Sequence, residues 1–167
     1  MLPGIIVKPL KSVADERGFF TEVMRIDWED LPREDHFSQA NVSITYPNII
    51  RAWHRHVRGQ TDYFVALKGA IKIGVYDEKT QELNEIVSTG QNLQIVRVLG
   101  EYWHGFKSLG NEPAMLLYFT TKLYDYENPD EERRPWDDPQ IVPKLINGKK
   151  NDPRVGKPWN WNQPPNK

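Results

Sequence analysis

Short runs of β-branched and aromatic residues, each closed by a turn signal, recur along most of this chain and constrain its fold more than any other feature. The runs cover residues 5–8, 19–26, 38–46, 50–56, 62–67, 70–76, 83–88, 93–99, 102–109 and 114–121. Between them stand Tyr46-Pro-Asn48, Arg58-Gly59, Lys68-Gly69, Thr89-Gly90 and Leu109-Gly-Asn111, which favour reversals of the backbone. Many short strands at regular spacing predict an all-β protein, either a sandwich or a closed antiparallel barrel. Two short helices are expected, over residues 27–31 and 128–134. In the second, Pro129 suits a first helical turn and the acidic residues suit its N-terminal end. Beyond Trp136 the chain turns rich in Pro, Asn, Lys and Trp. This stretch reads as an extended strap held by Trp159 and Trp161. The 167 residues are therefore expected to form one domain, residues 1–167, with its core over about 5–142 and a tail over 143–167.

A formal charge of −1 gives no electrostatic case for nucleic acid or an anionic membrane as a main partner. With no cysteine, the chain has neither disulfides nor thiolate chemistry, which is compatible with a reducing compartment. It carries no long apolar run, and Met1-Leu-Pro-Gly-Ile-Ile6 lacks the basic and apolar regions of a signal peptide. A soluble, cytoplasmic protein is the expectation.

Histidine is scarce, four in all, yet three fall in two strand-like segments, Arg51-Ala-Trp-His-Arg-His56 and Trp103-His-Gly-Phe106. In an extended strand residues i and i+2 share a face, so His54 and His56 are expected side by side. Imidazole both titrates near neutral pH and ligates metals. A hydrogen-bonded structural pair and a functional pair both fit this spacing.

Further motifs follow in order: Asp15-Glu-Arg-Gly-Phe-Phe-Thr-Glu22, Gln39-Ala-Asn-Val-Ser43, Arg51-Ala-Trp-His54, the stretch 69–77, His104-Gly-Phe106, Leu117-Tyr118 with Tyr124, and Trp136-Asp-Asp-Pro139. This succession, over roughly residues 5–142, resembles the dTDP-4-dehydrorhamnose 3,5-epimerase family. The resemblance implies a cupin-type double-stranded β-helix, or jelly roll, that works as a homodimer without a cofactor in deoxysugar or cell-surface polysaccharide synthesis. The implied reaction inverts carbon 3, carbon 5 or both of a nucleotide-linked 4-keto-6-deoxyhexose. Both carbons are α to the ketone, so the chemistry needs a base on one face, a proton donor on the other, and stabilisation of the enolate oxygen.

The resemblance assigns the base to His54 and the opposite proton donor to Tyr118. It makes Arg17, Arg51 and His104 candidates for the diphosphate or sugar, Phe20 and Tyr124 for stacking on the base, and Glu22, Gln39 and Asn41 for its polar edge or the sugar hydroxyls. Family members pair their amino-terminal strands with a second subunit, so Arg17 and Glu22 are expected to serve the partner's pocket. The chain also departs from the family. Counting back from Gly69, the lysine beside the keto oxygen falls on Asp62, a carboxylate that would repel an enolate. Lys68 and Lys72 lie nearby and read as solvated surface lysines. None of Asp137, Asp138 and Asp152 aligns with the carboxylate that orients the family's histidine. His56 stands where the family has glutamine, so His54, His56, Gln60 and His104 also fit the ligand pattern of metal-binding cupins. Two alternatives therefore accompany the epimerase: a metal-dependent cupin, and a catalytically silent binder of sugar nucleotides.

Overall fold

A computed structural model of the protein describes residues 1–164. The strands are β1 (Ile6–Pro9), β2 (Ser12–Asp15), β3 (Gly18–Thr21), β4 (Gln39–Thr45), β5 (Ile50–His56), β6 (Thr61–Lys68), β7 (Ala70–Asp77), β8 (Glu82–Thr89), β9 (Gln94–Leu99), β10 (Trp103–Leu109), β11 (Ala114–Thr120), β12 (Glu131–Arg133) and β13 (Leu145–Ile146). They form a five-stranded sheet in the order β1-β9-β6-β11-β4, a six-stranded sheet in the order β12-β5-β10-β7-β8-β13, and a separate β2-β3 hairpin. Pairing is antiparallel except between β13 and β8. The jelly-roll expectation holds, and all of the regular structure among the described residues is strand.

The two expected helices are therefore absent. Residues 27–31 are turns, and the second stretch contains β12, whose Glu131 to Arg133 pair with His56 to His54. The open edge of β5 offered unpaired backbone groups, and satisfying them outweighed the weak local preference for a helical turn.

Strand periodicity explains why the chain is apolar on more than one face. On β6, Phe64 and Ala66 point between the sheets and join Ile71, Ile73, Val75, Val96, Val98, Phe106 and Leu116 in the main core. Tyr63 and Val65 point the other way, into a second cluster with Leu31 and Ile95 that Trp28 and Phe37 cover. A third cluster lies outside the six-stranded sheet, where Trp53, Tyr76, Leu83 and Trp103 meet Ile141, Ile146, Trp159 and Trp161 of the carboxyl-terminal strap. Trp161 is 1% exposed and sits over Gly74, where a Cβ would come within 2.8 Å of its ring. Close passage of the strap thus requires glycine at that position.

Candidate active site

The six-stranded sheet aims its functional side chains through an irregularity. His104 pairs with His54 and Phe106 with Arg51, so Ala52 and Trp53 together oppose the single residue Gly105. A bulge of this kind shifts side-chain parity by one. Without it Arg51 and His54, three residues apart, would face opposite sides; with it both face the interior, and Trp53 turns outward beneath the strap. Gly105 is needed because a Cβ there would lie 2.4 Å from that of Ala52.

Arg51 and His54 open into a cavity of about 590 Å³ between the sheets. Gln39, Asn41, Tyr118 and Tyr124 line it too, together with His56, Gln60 and Asp62. Tyr118 pairs with Asn41 on one side and Phe64 on the other, which sets it on the five-stranded sheet, across from His54. Arg51 is anchored by a 3.1 Å bond from Nε to the Thr45 hydroxyl. Gln39 and Asn41 are coupled by a 2.8 Å side-chain bond, and Gln39 accepts the backbone N–H of Tyr124 at 3.0 Å.

Behind His54 lies a buried polar cluster. The rings of His54 and His104 are 4.2 Å apart and those of His54 and His56 5.8 Å apart, so the expected side-by-side placement of His54 and His56 is found. Asp62 completes the group: its Oδ2 lies 3.2 Å from His104 Nε2 and 3.3 Å from His56 Nε2, while Oδ1 accepts a 2.8 Å bond from Gln60. One ligand atom from each of His54, His56, Asp62 and His104 falls within 4.8 Å of the others. The fourth member of the set is thus Asp62 and not Gln60, whose amide nitrogen faces both His56 and Asp62 and serves as a donor.

The second nitrogen of two of these rings is already committed. His104 Nδ1 faces the Tyr102 carbonyl at 2.8 Å and His56 Nδ1 faces the Asp130 carbonyl at 3.1 Å. A carbonyl only accepts, so each Nδ1 carries the proton and each Nε2 of a neutral ring presents a lone pair to Asp62. Two lone pairs and a carboxylate repel unless a proton or a cation sits among them. That need for positive charge is the main electrostatic property of the site.

Burial is the largest influence on His54 and, with the neighbouring His104, holds it well below its ordinary pKa, although Asp62 pulls the other way. Burial also works against charging His56, but the hydrogen bond and charge of Asp62 outweigh it and raise that pKa. For Asp62 burial works to raise the pKa, but hydrogen bonds from His104 and His56, given once a proton occupies the Nε2 that faces it, win and hold the carboxyl far below the usual range. Burial, reinforced by Asp62, raises the pKa of Tyr118, so its phenol keeps its proton.

Three expected site residues lie elsewhere in this chain. Arg17, Phe20 and Glu22 belong to the β2-β3 hairpin or follow it, all exposed, and none lines the cavity. His104 is 0% exposed with both nitrogens engaged, so it supports His54 from behind and cannot meet a phosphate or sugar. Conversely, the cavity gains Tyr126, Glu131, Arg133 and Arg134. Tyr126 packs edge-on against Tyr124 at 4.9 Å. Only the pairing of β12 with β5 brings this segment to the cavity, a long-range event that no local pattern announces.

The architecture is that of a cupin jelly roll with its polar cluster between the sheets. The chain belongs to the family described as Polysaccharide biosynthesis C-terminal domain, which matches residues 13–132. It is 47% identical over 136 residues to the probable low-salt glycan biosynthesis epimerase Agl13 of Haloferax volcanii, covering 78% of this chain and 86% of that protein. It is 36% identical over 146 residues to the spore coat polysaccharide biosynthesis protein SpsL of Bacillus subtilis, covering 84% and 94%. Structural neighbours are cupins of the dTDP-4-dehydrorhamnose 3,5-epimerase type. A dTDP sugar isomerase from Desulfovibrio desulfuricans superposes with a TM-score of 0.73 at 26% identity, covering 83% of this chain and 88% of that one. The dTDP-6-deoxy-D-glucose-3,5-epimerase of Legionella pneumophila, solved with dTDP-4-keto-L-rhamnose, gives 0.71 at 24% identity, covering 82% and 76%, and shares the fold.

Proposed function

We propose that this chain is an epimerase of a nucleotide-linked 4-keto-6-deoxyhexose that moves protons at carbon 3, carbon 5 or both. The observation that carries this reading is one cavity lined by a neutral imidazole, His54, on one sheet and a protonated phenol, Tyr118, on the other. His54 takes the proton from the carbon next to the ketone. The C–H electron pair moves into an enolate, and Tyr118 returns a proton to the opposite face. Arg51 and Arg133 suit the diphosphate, Gln39 and Asn41 the sugar hydroxyls, and Tyr124 with Tyr126 a stacked nucleobase.

The test is deuterium uptake at carbons 3 and 5 of dTDP-4-keto-6-deoxyglucose in deuterated water, followed by NMR. Uptake at both carbons is expected of a 3,5-epimerase and uptake at one of a mono-epimerase. Tight binding without uptake at either would overturn the enzyme reading in favour of a silent binder.

A metal-assisted variant is favoured by one observation, the unbalanced cluster of His54, His56, Asp62 and His104. Three imidazoles and a carboxylate suit a divalent cation such as zinc, iron, nickel or manganese, and the Tyr102 and Asp130 carbonyls orient two of the rings as outer partners of ligands commonly do. Such an ion would polarise the keto oxygen, the task for which this chain has no lysine at the matching position. In that case His54 ligates and another group must take the proton. Elemental analysis of untagged protein, with calorimetric titration of added metal, separates the two forms: an empty preparation that takes up no metal leaves His54 as the base.

A homodimer belongs to the same proposal. Seven of the eight residues of β2 and β3 are exposed, Val13, Phe19 and Phe20 among them, and Arg17 lies at the turn. A hairpin of two strands is marginal alone and gains stability by packing on another surface. Docking on a second copy would bring Arg17 and Glu22, with the exposed Phe20 between them in sequence, to that copy's cavity.

A further inference from the structure

A second cavity, of about 400 Å³, lies on the other side of the six-stranded sheet beneath the carboxyl-terminal strap and shares no residue with the first. Its floor holds Lys72 and Lys107, which are directly opposite each other on β7 and β10. Like charges in that relation repel. They are nevertheless 5% and 8% exposed, contrary to the solvated surface position expected for Lys72. The reversal is the work of the strap, which roofs the outer face of β7: Lys72 Nζ donates to the Trp161 carbonyl at 2.7 Å and Lys107 Nζ to Asn162 Oδ1 at 2.5 Å.

The charges do not balance. Arg154, 4% exposed, takes up both carboxylates of the cavity, bonding Asp152 at 2.9 Å and Glu85 at 3.0 Å. Glu85 also lies 3.3 Å from Lys72. Among the described residues four cations, Lys72, Lys107, Lys149 and Arg154, thus face two carboxylates around one cavity. Among the described residues Lys107 has a neutral partner only, and Lys149 on the exposed rim has no carboxylate within ion-pair distance. A buried ammonium without a counter-charge is costly, so it is retained where an anion supplies that charge.

We propose that this cavity is a second anion site that binds a phosphate-bearing small ligand, with Lys107 and Lys149 as its principal partners. The two uncompensated positive charges match a phosphate dianion, and ammonium groups are common phosphate partners. Occupancy ties the strap to the sheet, because the lysines that hold the ligand's charge, or lie beside it, also bond Trp161 and Asn162.

Inorganic phosphate is the probe. Thermal unfolding and calorimetric titration of the full chain, in phosphate against chloride and acetate at equal ionic strength, read the site directly. Phosphate is expected to raise the unfolding midpoint with saturation where chloride and acetate do not. Lys107→Met and Lys149→Ala should each weaken phosphate binding at least tenfold, and Lys149→Ala, a rim change, decides the matter if Lys107→Met folds poorly. Arg51→Ala alters the other cavity and should leave this binding intact. The proposal fails if wild-type protein shows no phosphate-specific shift, if both lysine variants keep it, or if Arg51→Ala alone removes it. None of these outcomes depends on the epimerase reading.

Discussion

The two faces of β5 carry two buried clusters with opposite physical characters. Outward, Trp53 joins Trp159 and Trp161 in an apolar layer under the strap. Inward, His54 and His56 meet His104 and Asp62 in a group whose charge is settled only by a proton or a cation. The outer layer gains its stability from area removed from water and does not depend on protonation. The inner one is held by directional contacts of 2.8–3.3 Å and depends on where its protons sit. One strand separates an apolar layer from a titratable one, and changes on its two sides should therefore fail in different ways.

The largest effect is expected inside. His54→Ala should slow carbon–hydrogen exchange by about 100- to 10,000-fold, the usual contribution of a general base, with little change in unfolding midpoint; exchange kinetics together with thermal melts read both. Outside, Trp161→Ala should cost about 3–5 kcal/mol of stability, the usual penalty for removing a buried tryptophan, while the protein that stays folded keeps its exchange rate. Loss of exchange without loss of stability in that variant would abolish the contrast. Gly74→Ala is a milder probe of the same layer, since the added Cβ meets Trp161 at 2.8 Å and Trp53 at 3.2 Å. Overpacking of this kind should cost about 1–3 kcal/mol in denaturant titrations.

The smallest predicted effect is a shift in pH profile. A base must be neutral to act, and burial with His104 lowers the pKa of His54 from its ordinary 6.5. The neutral form therefore persists to lower pH, and the acid limb of kcat/KM should fall below pH 6.5. A limb at or above that value would contradict the environment described for His54. Mixed subunits sharpen the dimer proposal: Arg17→Ala and His54→Ala chains, each weak alone, should regain part of their activity when co-assembled, because one cavity in the mixed dimer draws on two intact sets of side chains.

Much of the architecture was readable in advance because it follows from local rules. The run over residues 50–56 coincides with β5, and the period of two placed His54 beside His56. The helix expected over 128–134 failed because propensity there is weak and the open edge of β5 offered a better partner. Asp62 read as a repulsive substitution at a keto-oxygen position, and the fold turns it into the carboxylate that holds two histidines. Lys72 read as solvated because a strand pattern cannot say which outer face a distant strap will cover.

By itself, then, the sequence determined the all-β class, most of the strand positions and the shared face of His54 and His56, since these depend on periodicity and residue type within a few positions. Tertiary structure alone decided how they combine. The bulge opposite Gly105 put Arg51 on the same face as His54, and β12 brought Arg133 and Tyr126 to the cavity. The strap buried Lys72 and Lys107 together. The physical reason is range: a side chain's direction is set by its own backbone, whereas its burial, its partners and the charge it can hold are set by whatever segments the fold brings against it.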